Sequence, residues 1–140
     1  MVDSTRISAF LSALILISLF ATCAYADKTG VVFQISTASP LTWKVAVRNA
    51  RNLQHVMLPR VVRIEIIAFG PGLKMLLKDS VVAHNLIALH NSGVTIEACK
   101  TDVYEQGLPP NDIAPFVRYI PSGIAEIVRR EREGWAYVRP

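Results

Sequence analysis

Cys99 is the residue of this sequence with the clearest capacity for chemistry. It ends a short apolar run and is followed directly by Lys100 and Thr101. A neighbouring cation and a helix N-terminus both favour the thiolate form of cysteine, which is the nucleophile in sulfur chemistry. The opposite interpretation is a buried, inert thiol that fills space beneath a loop, since free cysteines are among the most buried residues. No histidine follows Cys99, so the order of residues in cysteine–histidine proteases is absent.

Three further segments are expected to lie near Cys99, because each follows a predicted strand: residues 36–39, 70–72 and 121–123. Loops beyond the carboxyl ends of parallel strands form the ligand crevice of such sheets. The Gly-Pro-Gly triplet is suited either to hold an anion through its backbone amides or to make a tight turn. Beside Cys99, the candidate binding residues are therefore Gly70, Pro71, Gly72, Lys100, Thr101, Ser122 and Gly123.

The sequence does not predict a metal, a cofactor or a nucleic-acid partner. The chain has two cysteines and three histidines, without the spacing of a zinc site. Its formal net charge is +4, and 51% of its residues are hydrophobic, which excludes a disordered chain. One basic cluster alternates with acids, and this pattern predicts a solvated helix face with paired charges: Arg129, Arg130 and Arg132 with Glu126, Glu131 and Glu133.

The elements that must position Cys99 alternate between strands and helices. Strands are predicted at residues 30–36, 61–69, 94–99, 116–120 and 135–138. Ser39 and Pro40 predict the start of an amphipathic helix whose inner face holds Trp43, Ala46, Val47, Ala50 and Leu53.

The remaining connections are also predicted to be helical. A helix is expected from Asp79 or Ser80 to Ser92, ended by Gly93, and a short helix or turn over residues 101–107. A last helix has Ile124, Ile127 and Val128 as its predicted inner face. This order predicts one α/β domain, a doubly wound, mostly parallel five-stranded sheet with helices on both faces.

The N-terminus predicts export. Residues 1–26 combine a positive charge, an apolar run too short to span a bilayer comfortably, and the triplet Ala24-Tyr25-Ala26. These are the parts of a secretory signal peptide, with cleavage expected before Asp27, and a membrane anchor is the alternative. Residues 27–140 would then form a single periplasmic or secreted domain with no membrane attachment. Cys99 would be its only cysteine, so no internal disulfide is expected.

Three stretches of the sequence resemble the DsrE/DsrF-like family, and most closely its small exported branch: residues 63–80, 93–102 and 121–140. The last of them ends in Gly-Trp-Ala-Tyr-Val-Arg-Pro, and the first contains the Phe-Gly-Pro-Gly turn. The resemblance implies a doubly wound domain with a five-stranded sheet that assembles into trimers or hexamers. It also implies a persulfide relay that uses a cysteine at the place of Cys99.

Two functions from different classes follow. In the first, Cys99 accepts, carries and releases sulfane sulfur as a persulfide, with a donor or acceptor protein as partner and at most sulfurtransferase-like activity. In the second, the protein is a non-catalytic oligomeric module that binds a small anion at the same crevice, and Cys99 is merely packed. A homo-oligomer is expected in both, because an apolar domain with Trp135 and Tyr137 near its end is suited to expose a patch that another copy covers.

Overall fold

The apolar runs of the sequence form five strands. The structure is a computed structural model that describes residues 30–57 and 62–140. Its strands are β1 (Gly30–Ile35), β2 (Arg63–Ala68), β3 (Thr95–Cys99), β4 (Arg118–Ile120) and β5 (Ala136–Val138). They form one sheet in the order β4-β3-β2-β1-β5, and every neighbouring pair is parallel. The predicted five-stranded α/β fold is confirmed, and the sheet is parallel throughout rather than mostly parallel.

Four α-helices connect or follow these strands: α1 (Pro40–Val56), α2 (Ala83–Asn91), α3 (Lys100–Glu105) and α4 (Gly123–Arg132). The predicted start of α1 is confirmed, since Ser39 Oγ accepts a hydrogen bond from the Thr42 amide at 3.3 Å and Pro40 is the first helical residue. Two 3₁₀ segments, Gly70–Leu76 and Pro110–Asp112, complete the connections.

Helix α2 begins later than predicted, because Val82 occupies its N-cap position instead of Asp79 or Ser80 and Ala83 is its first residue. Leu77 forms an antiparallel bridge with Ile113, and the Lys78 amide donates to the Asp112 carbonyl at 2.9 Å. These long-range bonds hold the backbone in a non-helical path just before the predicted cap. The end of α2 agrees with the prediction, because Gly93 follows it with a φ of 95°.

The helices cover the two faces of the sheet unequally. Helices α1, α2 and α3 contribute side chains to the larger core, together with Val31, Ile66 and Ile96 of the central strands. Helix α4 lies on the other face over a smaller cluster formed by Val32, Ile67, Ile120, Ile127 and Trp135. The fold is therefore doubly wound, and α4 is the one helix that the described residues place on its face.

The predicted inner face of α4 is wrong at two of three positions. Ile127 is buried, but Ile124 is 57% exposed and Val128 is 42% exposed. Glu126 and Arg130 turn toward the sheet in their place. The physical reason for the inward turn of Arg130 lies beneath the helix, where the buried carboxylate of Glu65 on β2 needs a cationic partner, and Glu126 pairs with the same arginine.

The predicted signal peptide and its cleavage site lie outside the described residues, as does residue 61 of the predicted second strand. Within residues 30–57 and 62–140, no helix is both long enough and apolar enough to cross a bilayer.

Among the described glycines, Gly72 is the one at which an added Cβ would come closest to a backbone atom, and its replacement is a sharp test of the packing. A Cβ at this position would lie 2.1 Å from the carbonyl oxygen of Ile35, so Gly72→Ala forces the backbone apart. We expect a loss of at least about 3 kcal/mol in the free energy of unfolding, measured by urea denaturation. Gly107→Ala is the control, because a Cβ at this position would meet no atom within 4 Å. Its only cost is the positive φ of 61°, which destabilises an alanine by about 1–2 kcal/mol. Equal losses in the two variants would contradict the packing described here.

Candidate functional site

The ends of β3 and β4 form the topological switch point of the sheet. The two strands are neighbours, and Cys99 pairs with Ile120 at their carboxyl ends. From β3 the chain passes to α3 on one face, whereas from β4 it passes to α4 on the other face. The two connections diverge and leave a crevice above the strand ends, which is where open α/β sheets bind ligands.

Cys99 lies at this crevice and is nearly closed off from solvent, with 5% of its surface exposed. It occupies the N-cap position of α3. Its thiol donates a hydrogen bond to Oδ1 of Asp102 across 3.2 Å. The first interaction partner of the sulfur is therefore a carboxylate, rather than the Lys100 ammonium expected from the sequence.

Asp102 is itself held from a second direction. Its Oδ2 accepts a hydrogen bond from the backbone amide of Gly70, the second residue of the Phe-Gly-Pro-Gly turn that follows β2. Gln106, one turn further along the chain, donates from Nε2 to the Gly70 carbonyl at 2.8 Å. The amide of Gly70 thus binds an anion, as the glycine-rich turn suggested, but the anion is a side chain of the same protein.

Three more of the predicted residues shape the wall of the crevice. Thr101 donates from Oγ1 to the Pro121 carbonyl at 3.0 Å and so ties the start of α3 to the loop after β4. Ser122 caps α4 through its hydroxyl oxygen. Gly123 lets α4 pack closely, because a Cβ there would lie 2.9 Å from the ring of Phe69.

The remaining predicted residues lie apart from the thiol. Pro71 is exposed, and Gly72 packs against the carbonyl of Ile35. Lys100 is exposed and lines a groove together with Val103, on a different side of α3 from Asp102. In the part of the chain that the structure describes, no hydrogen bond or ion pair joins Lys100 to Cys99.

A second cluster of polar groups lies under α4, on the face of the sheet that this helix covers. Glu65 of β2 is 5% exposed and receives two hydrogen bonds from Arg130, from Nε at 2.6 Å and from Nη2 at 2.5 Å. Arg130 also reaches Glu126 at 3.2 Å and lies 4.4 Å from the centre of the Trp135 ring. Burial raises the pKa of Glu65 above its ordinary value, and Arg130 only partly opposes this effect.

Glu97 of β3 is the most unusual member of this cluster, because its side chain is fully buried. Arg118 Nη2 approaches Oε1 to 3.1 Å, yet neither carboxylate oxygen has a hydrogen-bond partner of good geometry among the described residues. Burial raises the pKa of Glu97 to about 7, and the nearby carboxylate of Glu65 adds to this effect. Glu97 is therefore a carboxyl group that holds its proton up to neutral pH.

The carboxylates of Glu65, Glu97 and Glu126 each place an oxygen within 4.8 Å of the others, close enough to share a metal ion. Arg130 already bonds to two of the three, and Arg118 approaches the third. Positive charge is thus supplied by guanidinium groups at the place where a cation would lie. Together with the raised pKa of Glu97, the arrangement suits a retained proton better than a divalent ion.

Sequence reasoning did not single out Asp102, Glu65, Glu97 or the inward role of Arg130. A local signal existed for Asp102, since Cys99 and Asp102 have the spacing of a helix N-cap and the third helical residue that reaches back to it. Glu65 and Glu97 stand between apolar residues inside two strands, which marks them as buried. Arg130 was assigned to a solvated face, whereas Arg129 does make the predicted helix-surface pairs with Glu126 and Glu133.

The fold and this site define a small parallel α/β domain with a cysteine at its switch point, and solved structures share the fold. No protein-family model matches the chain, and no functionally curated protein does. A protein of unknown function from Methanobacterium thermoautotrophicum, MTH1491, is 34% identical, with a TM-score of 0.75 over 80% of this chain and 99% of that chain. The chain therefore belongs to the same family as MTH1491.

A second solved structure has the same fold. BT1422 from Bacteroides thetaiotaomicron, a conserved protein of unknown function, is 20% identical, with a TM-score of 0.64 over 85% of this chain and 100% of that chain. At this identity the likeness concerns the fold alone. The function must therefore be argued from the residues of the crevice.

The raised pKa of Glu97 predicts a pH-dependent stability. The folded state keeps the Glu97 proton up to about pH 7, whereas an unfolded chain releases it near pH 4.5. The free energy of unfolding therefore falls as pH rises between these values, by about 3 kcal/mol at 1.36 kcal/mol per pH unit. Glu97→Gln removes this loss, so the variant should gain stability relative to the wild type from pH 4.5 to pH 7.5.

The measurement is urea denaturation of both proteins across this pH range. Glu131→Gln, which changes an exposed acid on the same helix as Glu126, is the matched control and should follow the wild type at every pH. A stability difference between Glu97→Gln and the wild type that does not change with pH would show that Glu97 does not retain its proton.

Proposed function

We propose that this protein is a carrier of sulfane sulfur, and that Cys99 holds the sulfur as a persulfide. The observation that carries the proposal is the hydrogen bond from the Cys99 thiol to Asp102, made at the switch point of the sheet. A thiol paired with a carboxylate has a fixed orientation and an acceptor for its proton, which are the two features that a nucleophilic sulfur needs.

The transfer step is a thiol exchange in which nothing is oxidised overall. Asp102 accepts the thiol proton, and the Cys99 sulfur attacks the terminal sulfur of a donor persulfide, R–S–SH. A new S–S bond forms on Cys99 as the S–S bond of the donor breaks. The donor leaves as a thiolate and takes up the proton from Asp102, so the products are the Cys99 persulfide and R–SH. Release to an acceptor thiol is the same reaction in reverse.

The surroundings of Cys99 support this role. Asp102 is held by the Gly70 amide, which keeps the carboxylate in place when the sulfur loses its proton. Helix α3 is only six residues long and begins immediately after the cysteine. A small movement of its first turn would open the sulfur to a donor and would close it again around the persulfide, away from water and competing thiols.

A second function is favoured by a different observation, the 5% exposure of Cys99. A thiol that is closed off and hydrogen-bonded also suits a structural position in the core of the crevice wall. In that case the protein is a non-catalytic module that binds a small anion at the crevice, and Asp102 serves to fix the turn at Gly70. The two functions differ in one property, the reactivity of the thiol.

Three further expectations belong to the proposal. Membership of the DsrE/DsrF-like family is supported by the resemblance of residues 63–80, 93–102 and 121–140. Assembly into a trimer or hexamer follows from that resemblance and from large exposed apolar residues on the domain. Export to the periplasm or beyond depends on residues 1–26, and the sulfur donor and acceptor would then be proteins or small thiols of that compartment.

Intact-mass measurement after exposure to glutathione persulfide tests the carrier function. We expect the wild type to gain one sulfur atom, to lose it on treatment with dithiothreitol, and to pass it to a thiol acceptor. Cys99→Ser should gain none, while its circular dichroism and melting temperature stay close to those of the wild type. A native protein that gains no sulfur, and that iodoacetamide labels at Cys99 only after denaturation, would contradict the carrier and favour the binding module.

Asp102→Asn tests the role of the carboxylate. The side-chain amide of the variant cannot take the thiol proton, and its nitrogen cannot accept the hydrogen bond from the backbone amide of Gly70. We therefore expect sulfur loading at neutral pH to slow by at least about tenfold. The difference should shrink in alkaline buffer, where hydroxide removes the proton from the thiol. Glu105→Gln changes an exposed acid of the same helix and should load like the wild type. A constant ratio of the rates at all pH values would assign Asp102 a purely structural role.

A further inference from the structure

A groove lies beside helix α3, on a different side from the Cys99–Asp102 bond. It has a volume of about 600 Å³ and is walled by Lys100, Val103 and Tyr104 of the helix, by Leu108 and Pro109 of the following loop, and by Tyr119 of β4. This volume lies within the range of pockets that bind small molecules. The groove borders the switch point between β3 and β4, which is the position that favours ligands in this class of sheet.

The chemistry of the wall is unusually uniform. Aliphatic, aromatic and proline side chains form almost all of it, and two tyrosines are exposed within it, Tyr104 at 86% and Tyr119 at 43%. Large exposed aromatic rings around one concavity mark a binding surface rather than ordinary solvent-facing surface. The floor is well supported, because Val103 is buried and Leu108 packs against the main core.

Among the described residues that line the groove, Lys100 is the only charged one. Within residues 30–57 and 62–140 its ammonium group forms no ion pair, whereas several arginines of the domain do. A lone cation at the edge of an apolar groove complements a ligand with an apolar body and one negative charge. The tyrosine hydroxyl groups offer further donors to the same anionic group.

We infer that this groove binds a small apolar monoanion, such as an aliphatic or aromatic carboxylate or sulfonate, with its anionic group at Lys100 and its apolar body between Tyr104 and Tyr119. The site is separate from the sulfur of Cys99, because Lys100 and Val103 face the groove while Asp102 faces the Gly70 turn. The inference therefore does not depend on the carrier function, and Cys99→Ser should bind such a ligand like the wild type.

The test uses 1-anilinonaphthalene-8-sulfonate, an aromatic monoanion that fluoresces when bound, and its displacement by decanoate or the uncharged decanol. We expect saturable binding of one probe per chain, and decanoate should displace it at about fivefold lower concentration than decanol. Lys100→Gln should abolish this preference for the carboxylate, while Lys74→Gln, an exposed lysine elsewhere, should retain it. Displacement by both competitors alike in the wild type would overturn the role of Lys100.

A second pair of variants tests the location. Tyr104→Glu places a negative charge on the wall without disturbing the core and should weaken probe binding by at least about tenfold. Val81→Glu introduces the same charge at another apolar residue, which is 62% exposed, and should leave probe binding unchanged. Unchanged binding in Tyr104→Glu would exclude the groove as the site.

The same samples distinguish a small ligand from a second copy of the chain. Sedimentation equilibrium should give the same mass for the wild type and Tyr104→Glu if the groove is a ligand site. A wild type that binds no probe and loses its assembly on Tyr104→Glu would mean that another copy covers the groove, and this outcome would overturn the inference.

Discussion

The handedness of the crossover connections is the constraint on which the arrangement of this protein depends. A right-handed connection lies on one face of the sheet when the next parallel strand is added on one side of the previous strand. It lies on the other face when the next strand is added on the opposite side. From β1 to β4, each strand is added on the same side of the preceding one, so α1, α2 and α3 share a face. The return from β4 to β5 places α4 on the opposite face and creates the switch point at which Cys99 lies.

Among the described residues α4 is the only helix on its face of the sheet, and a buried ion pair holds it there beside the apolar contacts of Ile127. Arg130 crosses to Glu65 and also stacks on Trp135, so the helix is anchored at one place along its length. Buried ion pairs contribute less to stability than apolar packing of the same volume, but they accept only one geometry. The ion pair under α4 therefore restricts the position of the helix, and hence of the crevice loop that precedes it, in addition to the apolar contacts of Ile127.

The parts of this structure that the sequence predicts depend on interactions between residues close together in the chain. The parts that it does not predict depend on contacts between residues far apart in the chain. The strands, the cap at Ser39 and the end of α2 at Gly93 follow from local patterns, and Cys99 follows from its place at a strand end. The delayed start of α2 depends on a bond to Asp112, far along the chain. The inward turn of Arg130 likewise depends on Glu65, which lies on another element. Spacing within α4 predicts an inner face of Ile124, Ile127 and Val128, but only Ile127 is buried against the sheet.

The position of β5 has a consequence for how the chain is made. Val31 of β1 pairs with Ala136 of β5, so one side of the first strand stays without a neighbour until almost the last described residues have been synthesised. Among the described residues nothing else pairs with this side of β1, and the hydrogen bond from Tyr137 to Gln34, at 2.7 Å, can form only after β5 has been synthesised. Once β5 is in place, both edges of the sheet are strands of only three residues, which offer little backbone for a neighbouring molecule to extend.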